Sequence, residues 1–280
     1  MTVSGDPNQV DEAGSAPAEV DRAELVHEAR KAIKRMRALA RLLRYELGKQ
    51  ELARVNASLR AAGQRLAGAR DAAVRLATLE RLSARHPKAL DLEGIERLHE
   101  RLEREREQAS QPAHQDEVLG DIGHMRRDLA RWSLVDHDFE AVAPGLRRIY
   151  LEGRRRYVLV RREHARDAEA VHDWRKRVKS LYYALDMLGG AHAKGTRGST
   201  RRAEQLGDLL GEEHDLWLLC AYVDEHPDAF GGDTAAREEL LKLTERRRTR
   251  LRTLSLGLGA RLYRRKPSDF TRRAGDSLRR

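Results

Sequence analysis

His27, Arg30, Lys34, Arg37, Arg41 and Arg44, in the run HEARKAIKRMRALARLLR, recur at helical spacing with no carboxylate among them. On a helix they fall within about a third of the circumference, and Ala29, Ala32, Ile33, Met36, Leu39, Ala40 and Leu43 take the other side. A solvated helix face usually mixes signs, because Glu–Lys and Glu–Arg pairs at i,i+4 stabilise it by a few tenths of a kcal/mol, whereas like charges cost a similar amount. A bound anion offsets that cost. Arg offers a planar fork that fits two phosphate oxygens and Lys a point charge, so the chemistry of this stripe is anion recognition.

The stripe recurs. In HDWRKRVKSLYYALDML, His172, Arg175, Lys176 and Lys179 stand 145 positions after His27, Arg30, Lys31 and Lys34. Tyr182 and Asp186 replace Arg37 and Arg41, so the second stripe is shorter. Further on, GQRLAGARD (Gly63 to Asp71) matches GDLLGEEHD (Gly207 to Asp215) at an offset of 144. Two matched segments in the same order at nearly one offset indicate a duplicated unit. A third basic element, PGLRRIYLEGRRRYVLVRREHA, carries Arg148, Tyr150, Arg154, Arg155 and Tyr157.

Other chemistries compete for these residues. Glu24-x-x-His27 and Glu169-x-x-His172 have the i,i+3 pairing found in di-iron helical bundles. Each His is followed on its own face by Arg and Lys, which would repel a pair of divalent ions. A structural histidine at a helix start and a histidine donating to an anion beside Arg and Lys are the other two readings. There is no Gly-x-Ser-x-Gly, no phosphate-binding glycine loop and no Cys–His candidate for nucleophilic catalysis. Glu212, Glu213, His214 and Asp215 form an acidic cluster suited to a divalent cation or to basic neighbours, with the stripes as the expected partners. Base readers need aromatic platforms or Asn and Gln on the basic face, and apart from Tyr182 the stripes lack them. The donors match the backbone of a polyanion rather than a base sequence.

Composition agrees with a helical, anion-seeking chain. Its 280 residues hold 55 Lys+Arg against 45 Asp+Glu, giving +10 and a pI near 10.0. That balance favours nucleic acid, polyphosphate or an acidic membrane surface as partner. Charged residues reach 36 % and mean hydropathy is −0.72, which suits long helices exposing half their surface. The single cysteine, Cys220, excludes an internal disulfide and a Cys-based zinc site, and its setting in LWLLCAY makes it a core residue. No apolar run approaches the ~18 residues of a membrane span and no signal peptide opens the chain, so a cytoplasmic protein without membrane insertion is expected.

The elements that must position the stripes are read as helices throughout, an all-α chain. Residues 1–18 are expected to be a disordered tail. Helices are predicted from about Glu19 or Asp21 to Leu47, stopped by Gly48, and from Gln50 to Arg85, where Gly63 and Gly68 mark close packing or a break. Others run from Leu90 to Gln108 and Asp116 to Trp132. After a connector at Asp136 to Phe139, further helices run from Pro144 onward, Ala168 to Leu188, Thr200 to Val223 and Thr234 to Leu256, with a short one after Pro267. The segment AHAKGTRGS reads as a loop, and all seven prolines fall at or beyond helix boundaries in this scheme.

HEARKAIKRMRALARLLR, HDWRKRVKSLYYAL and LGDLLGEEHD together resemble the CHAD domain, the conserved histidine α-helical domain, over Glu19 to the C-terminus. The resemblance implies two pseudo-symmetric bundles of about four helices each, one from residues 19–140 and one from 141–280, enclosing a basic central channel. It further implies binding of inorganic polyphosphate, frequent association with polyphosphate granules, and no catalysis by this domain alone; no cofactor is expected. The contacts it implies are His27, Arg30, Lys34, Arg37, Arg41, His172, Arg175 and Lys179. Lys31, Arg44, Arg148, Arg154, Arg155, Lys176 and Tyr182 complete the candidate set. Binding of a nucleic-acid backbone by the same surface is the alternative, and a di-metal oxidoreductase the third.

Overall fold

Ala, Leu, Arg and Glu dominate the chain, and such side chains lose little freedom in a helix. The structure, a computed structural model, describes residues 16–65, 68–109, 139–162, 167–189 and 195–278, with side chains for 28–65, 71–109, 139–162, 167–189 and 195–277. The described residues form nine α-helices and no strand, as the all-α reading expects. These are α1 (Ala16–Leu42), α2 (Arg44–Arg65), α3 (Gly68–Arg85), α4 (Glu93–Ala109), α5 (Phe139–Arg162), α6 (Ala168–Met187), α7 (Arg197–Glu225), α8 (Thr234–Leu262) and α9 (Pro267–Leu278). A 3-10 turn, Pro227–Phe230, joins α7 to α8.

Side-chain caps start two of the helices. The Asp167 carboxylate accepts the Glu169 and Ala170 N–H groups at 2.9 and 3.3 Å at the head of α6, and Asp233 accepts that of Ala236 at 2.9 Å at the head of α8. Elsewhere the boundaries depart from the sequence reading. The first helix ends at Leu42 rather than Leu47, and the chain re-enters helix at Arg44 before Gly48 interrupts it with φ 73°. The expected helix from Gln50 to Arg85 is two helices, α2 and α3. Pro144 does not open α5 but sits inside it, which corrects the placing of every proline at a boundary. Burial of Val142, and of the Phe139 ring edge against Gly275 of α9, carries the helix upstream of the proline, which itself is exposed. The last long helix reaches Leu262 rather than Leu256, because Gly259 lets α8 lie against the Trp174 and Tyr157 rings. Residues 16–18 of the expected tail belong to α1. The rest of that tail, the expected helix 116–132, residues 136–138 of the connector and 191–194 of the loop lie outside the described residues.

Three apolar clusters hold these helices together, each buried Leu or aromatic contributing about 1.5–3 kcal/mol before entropy is counted. The largest gathers Leu42 of α1, Leu146 and Tyr150 of α5, Trp174 and Leu181 of α6, Leu206 of α7, Leu262 of α8 and Phe270 of α9. A second combines Leu76 and Leu79 of α3 with Leu98 and Leu102 of α4, Leu219 and Val223 of α7 and Leu240 of α8. Ile33 and Met36 of α1 form the third with Val55 and Leu59 of α2. α7 serves the first cluster with its N-terminal half and the second with its C-terminal half. Gly145 of α5 lies directly against the Leu42 carbonyl, where a Cβ would collide with backbone, so α1 and α5 approach as closely as two helices can.

Candidate anion-binding site

The basic face of α1 meets α6. Arg41 donates to the Ser180 hydroxyl, and Arg35 pairs with Asp186 at 3.3 Å. Residue numbers rise on one helix as they fall on the other, so α1 and α6 run antiparallel across this contact. Above it lies Glu152 of α5. Its carboxylate accepts from Arg148 at 2.7 Å and from Arg177 of α6 at 2.9 Å, with Arg44 at 3.8 Å. Three helices thus bring three guanidinium groups to one carboxylate, and Arg41 adds a fourth nearby. Burial, then the charges of Arg177, Arg37 and Arg44, pull the Arg41 guanidinium down to about 10 against the opposing pull of Glu152. Burial and Arg60 lower Arg37 too, and its guanidinium donates to the Leu59 carbonyl of α2 at 2.9 Å. Both stay charged at neutral pH, so the crossing concentrates positive charge where water screens it least.

The stripe on α6 faces α7. Lys179 donates to Asp208 at 3.0 Å and lies over Gly207, where a Cβ would stand 3.0 Å from the lysine Cε. The Tyr182 hydroxyl donates to Glu204 at 3.2 Å, and burial together with Glu204 and Asp186 pushes the phenol up to about 12, so it stays a donor. The His172 ring is 4.2 Å from that of His214, which stacks on Trp217 at 5.6 Å. Arg175 is half-buried between these groups along the same face. Carboxylates of α7 therefore neutralise part of the second stripe, whereas on α1 the Arg37 guanidinium takes a neutral carbonyl.

The remaining candidates spread outward. Lys31 pairs with Glu28 at 3.1 Å and Lys176 with Asp173 at 3.0 Å, equivalent positions under the 145-residue offset and both off the stripes. Arg154 donates to the Tyr263 carbonyl at 3.3 Å, holding the end of α8, and Arg155 is exposed on the side of α5 that carries Arg148. Arg30 is half-buried and Lys34 exposed, while the side chains of Glu24 and His27 lie outside the described residues. Sequence reasoning missed Arg35, Glu152, Arg177 and Ser180. Each sits off the stripes, and only the antiparallel crossing brings it into play.

Glu212 and Glu213 of the acidic cluster pair with arginines outside the stripes, a correction to the expected pairing for those two. Glu212 accepts both Nε and Nη2 of Arg247, at 2.8 and 2.9 Å, and Arg85 of α3 at 2.6 Å. Burial alone would raise its carboxyl, but these guanidinium hydrogen bonds hold it below the usual carboxylate range. Glu213 is buried between Arg248 at 3.2 Å and Arg252 at 2.9 Å, and both arginines also reach Glu245. α8 lies along α7 and presents these arginines at the level of the two glutamates, ahead of anything on α6. His214 meets a stripe residue, His172.

Among the described residues, no three His, Cys, Asp or Glu side chains converge as metal ligands. Cys220 is half-buried, and burial pushes its thiol up to about 11, which leaves little thiolate at neutral pH. No described helix is long and apolar enough to cross a membrane.

The chain matches no curated protein and no solved structure. Residues 9–224 match the family described as the CHAD domain, a span that takes in both His helices, their crossing and the Gly207–Asp215 segment. With well over half of its length inside that match, the chain belongs to the CHAD domain family.

Proposed function

We propose that this chain binds inorganic polyphosphate, without catalysing a reaction on it, along the basic face of α1 where that helix crosses α6. The observation that carries the reading is Arg41, a largely buried guanidinium crowded by Arg37, Arg44 and Arg177 with Glu152 as the opposing charge. A buried excess of positive charge is costly, and a chain of phosphates laid across the crossing neutralises it. CHAD domains are associated with polyphosphate binding, which fits the donor chemistry, and attachment to polyphosphate granules follows as the cellular role.

Contact geometry supports the duplicated architecture. Under the 145-residue offset Ser180 corresponds to Arg35 and Asp186 to Arg41, so the pairs Arg41–Ser180 and Arg35–Asp186 exchange places. That exchange is the signature of a two-fold contact between like surfaces. Two other packings between the halves, α3 on α7 and α4 on α8, also join segments equivalent under the offset, whereas α5 packs on α1 and α2 without such a counterpart. A basic groove running along the pseudo-two-fold, between the walls α1–α2 and α6–α7, is the arrangement that accommodates a linear polyanion.

The test is calorimetric titration of the full chain with long-chain polyphosphate and with double-stranded DNA at two salt concentrations. Changing Arg30, Lys34 and Arg37 together to Ala is expected to weaken polyphosphate binding tenfold or more with the far-ultraviolet circular dichroism unchanged, since charge-assisted hydrogen bonds contribute about 1.5–3 kcal/mol each. A triple variant that binds normally overturns the assignment of this face. Exposed Trp217, stacked on His214 beside His172, favours the second reading, in which a base of single-stranded nucleic acid stacks there. Equal and steeply salt-dependent binding of polyphosphate and DNA means a generic basic surface instead.

A further inference from the structure

Five arginines converge on a pocket that shares no lining residue with the α1–α6 crossing. Its volume is about 540 Å³, within the range of small-molecule sites. Arg202 comes from the first turns of α7, Arg261 from the end of α8, Arg264 and Arg265 from the turn that follows, and Arg273 from α9. Arg202 lies about 120° around α7 from Asp208, the residue that meets the α6 stripe, so the pocket opens on a different face of that helix. Four of the five are exposed and Arg265 is half-buried, and among the described residues none of them has a carboxylate in ion-pair range.

The pocket is held in shape from beneath. The Tyr150 hydroxyl donates to the carbonyls of Leu262 and Arg265 at 3.1 and 3.2 Å, which fixes the end of α8 and the turn carrying Arg264 and Arg265. Arg202 is anchored by donation to the Gly198 carbonyl at 3.0 Å. Gly195 closes directly on Ser277 of α9, bringing the start of α7 and α9 together. The lining holds no aromatic ring and no large apolar side chain, so neither a base nor an acyl chain finds a surface there.

The geometry points to a second anion site, for a compact molecule bearing several clustered phosphate groups. Five cations converging from three elements match a multiply charged anion better than a single phosphate, and the planar guanidinium forks suit phosphate oxygens taken in pairs. Two sources share that chemistry: a free polyphosphorylated small molecule, or the end of a long polyphosphate chain. The site shares no residue with the crossing and stands whether or not the stripes bind polyphosphate.

The experiment titrates the full chain with inositol hexakisphosphate, tripolyphosphate, inorganic phosphate and long-chain polyphosphate. It compares the parent with Arg261→Ser/Arg273→Ser, with Arg261→Lys/Arg273→Lys, and with the Arg30, Lys34, Arg37 triple variant. Arg261 and Arg273 are exposed, so the double variants should melt as the parent does. One inositol hexakisphosphate or tripolyphosphate per chain is expected, weakened tenfold or more by the serine pair, largely kept by the lysine pair and kept by the stripe triple variant. Inorganic phosphate should bind at least a hundredfold more weakly. If the serine pair leaves long-chain binding intact, the ligand is a free small molecule; a parallel loss makes the pocket the seat of a chain end. A serine pair that binds both short compounds as the parent does, or inorganic phosphate binding as tightly as they do, overturns the proposal. The stripe reading fails by a different result, unchanged long-chain binding in the triple variant.

Discussion

Arg41 shows how a binding residue can weigh on the fold that holds it. Its guanidinium is largely buried, donates to Ser180 and faces three other arginines, and burial first, then those charges, lower it from the ordinary arginine value to about 10. A base whose folded pKa is lowered costs stability wherever it is charged in both states. The cost is therefore complete below pH 10 and falls away as pH rises from about 10 toward the ordinary arginine value. Arg41→Met removes the charge and keeps the volume, and Ser180 retains its own bond to the Lys176 carbonyl. The variant should melt about 2–4 °C higher at pH 7 for each kcal/mol recovered, with the gain over the parent shrinking above pH 10. Its polyphosphate affinity should drop in the same titrations. Calorimetric melts across pH check the first expectation, and a variant both less stable and fully binding contradicts the account.

Among the helices, α7 is the one whose polar residues tie the most neighbours. Its carboxylates Glu204 and Asp208 reach back to α6, Glu212 reaches α3 and α8, and Glu213 is enclosed by two arginines of α8. Glu213→Gln leaves Arg248 and Arg252 partly buried with half their compensation gone, and breaking such a pair typically costs 3–5 kcal/mol. Urea unfolding should show that loss as a lower midpoint with unchanged slope. The element scale also shows what the sequence made legible. The helices around the two His stripes and the break at Gly48 follow from spacing and from the glycine itself, whereas the Asp167 cap of α6 is seen only in the structure. The start of α5 does not, because burial of Val142 and Phe139 against distant helices overrides the local signal of Pro144. The end of α8 was hidden for the same reason, its apolar residues being spread around the helix and its glycine packed under Trp174. The partners of Glu212 and Glu213 were hidden because a chain with 55 Lys and Arg offers many cations and spacing alone does not choose among them.

Across the whole molecule, the two sequence halves do not partition into two cores. α3 and α4 of the first half bury Leu76, Leu79, Leu98 and Leu102 against α7 and α8 of the second, and the end of α1 enters the cluster of α5 and α6. Scanning calorimetry should accordingly give one cooperative transition for the described body, and two resolved transitions would mean that the halves are energetically separate. The stripes were readable from sequence because all of their residues but Arg44, which opens α2, lie on α1 or on α6. The crossing that joins them, with Glu152 beside it, was not, because it brings the end of α1 and start of α2 against α5 and α6, more than a hundred residues further along the chain.

The sharing of that second cluster also sets a schedule for synthesis. α3 and α4 emerge from the ribosome with an apolar face whose lid, the C-terminal half of α7 and the start of α8, follows about a hundred residues later. At typical elongation rates of about 5–20 residues per second, the wait is of the order of 5–20 s, far longer than helices or loops take to form. During that interval the leucines of α3 and α4 are a sticky surface on a nascent chain, and its charged flanks, Arg81, Arg97, Arg101 and Glu100 among them, are what keep it dissolved until the second half arrives.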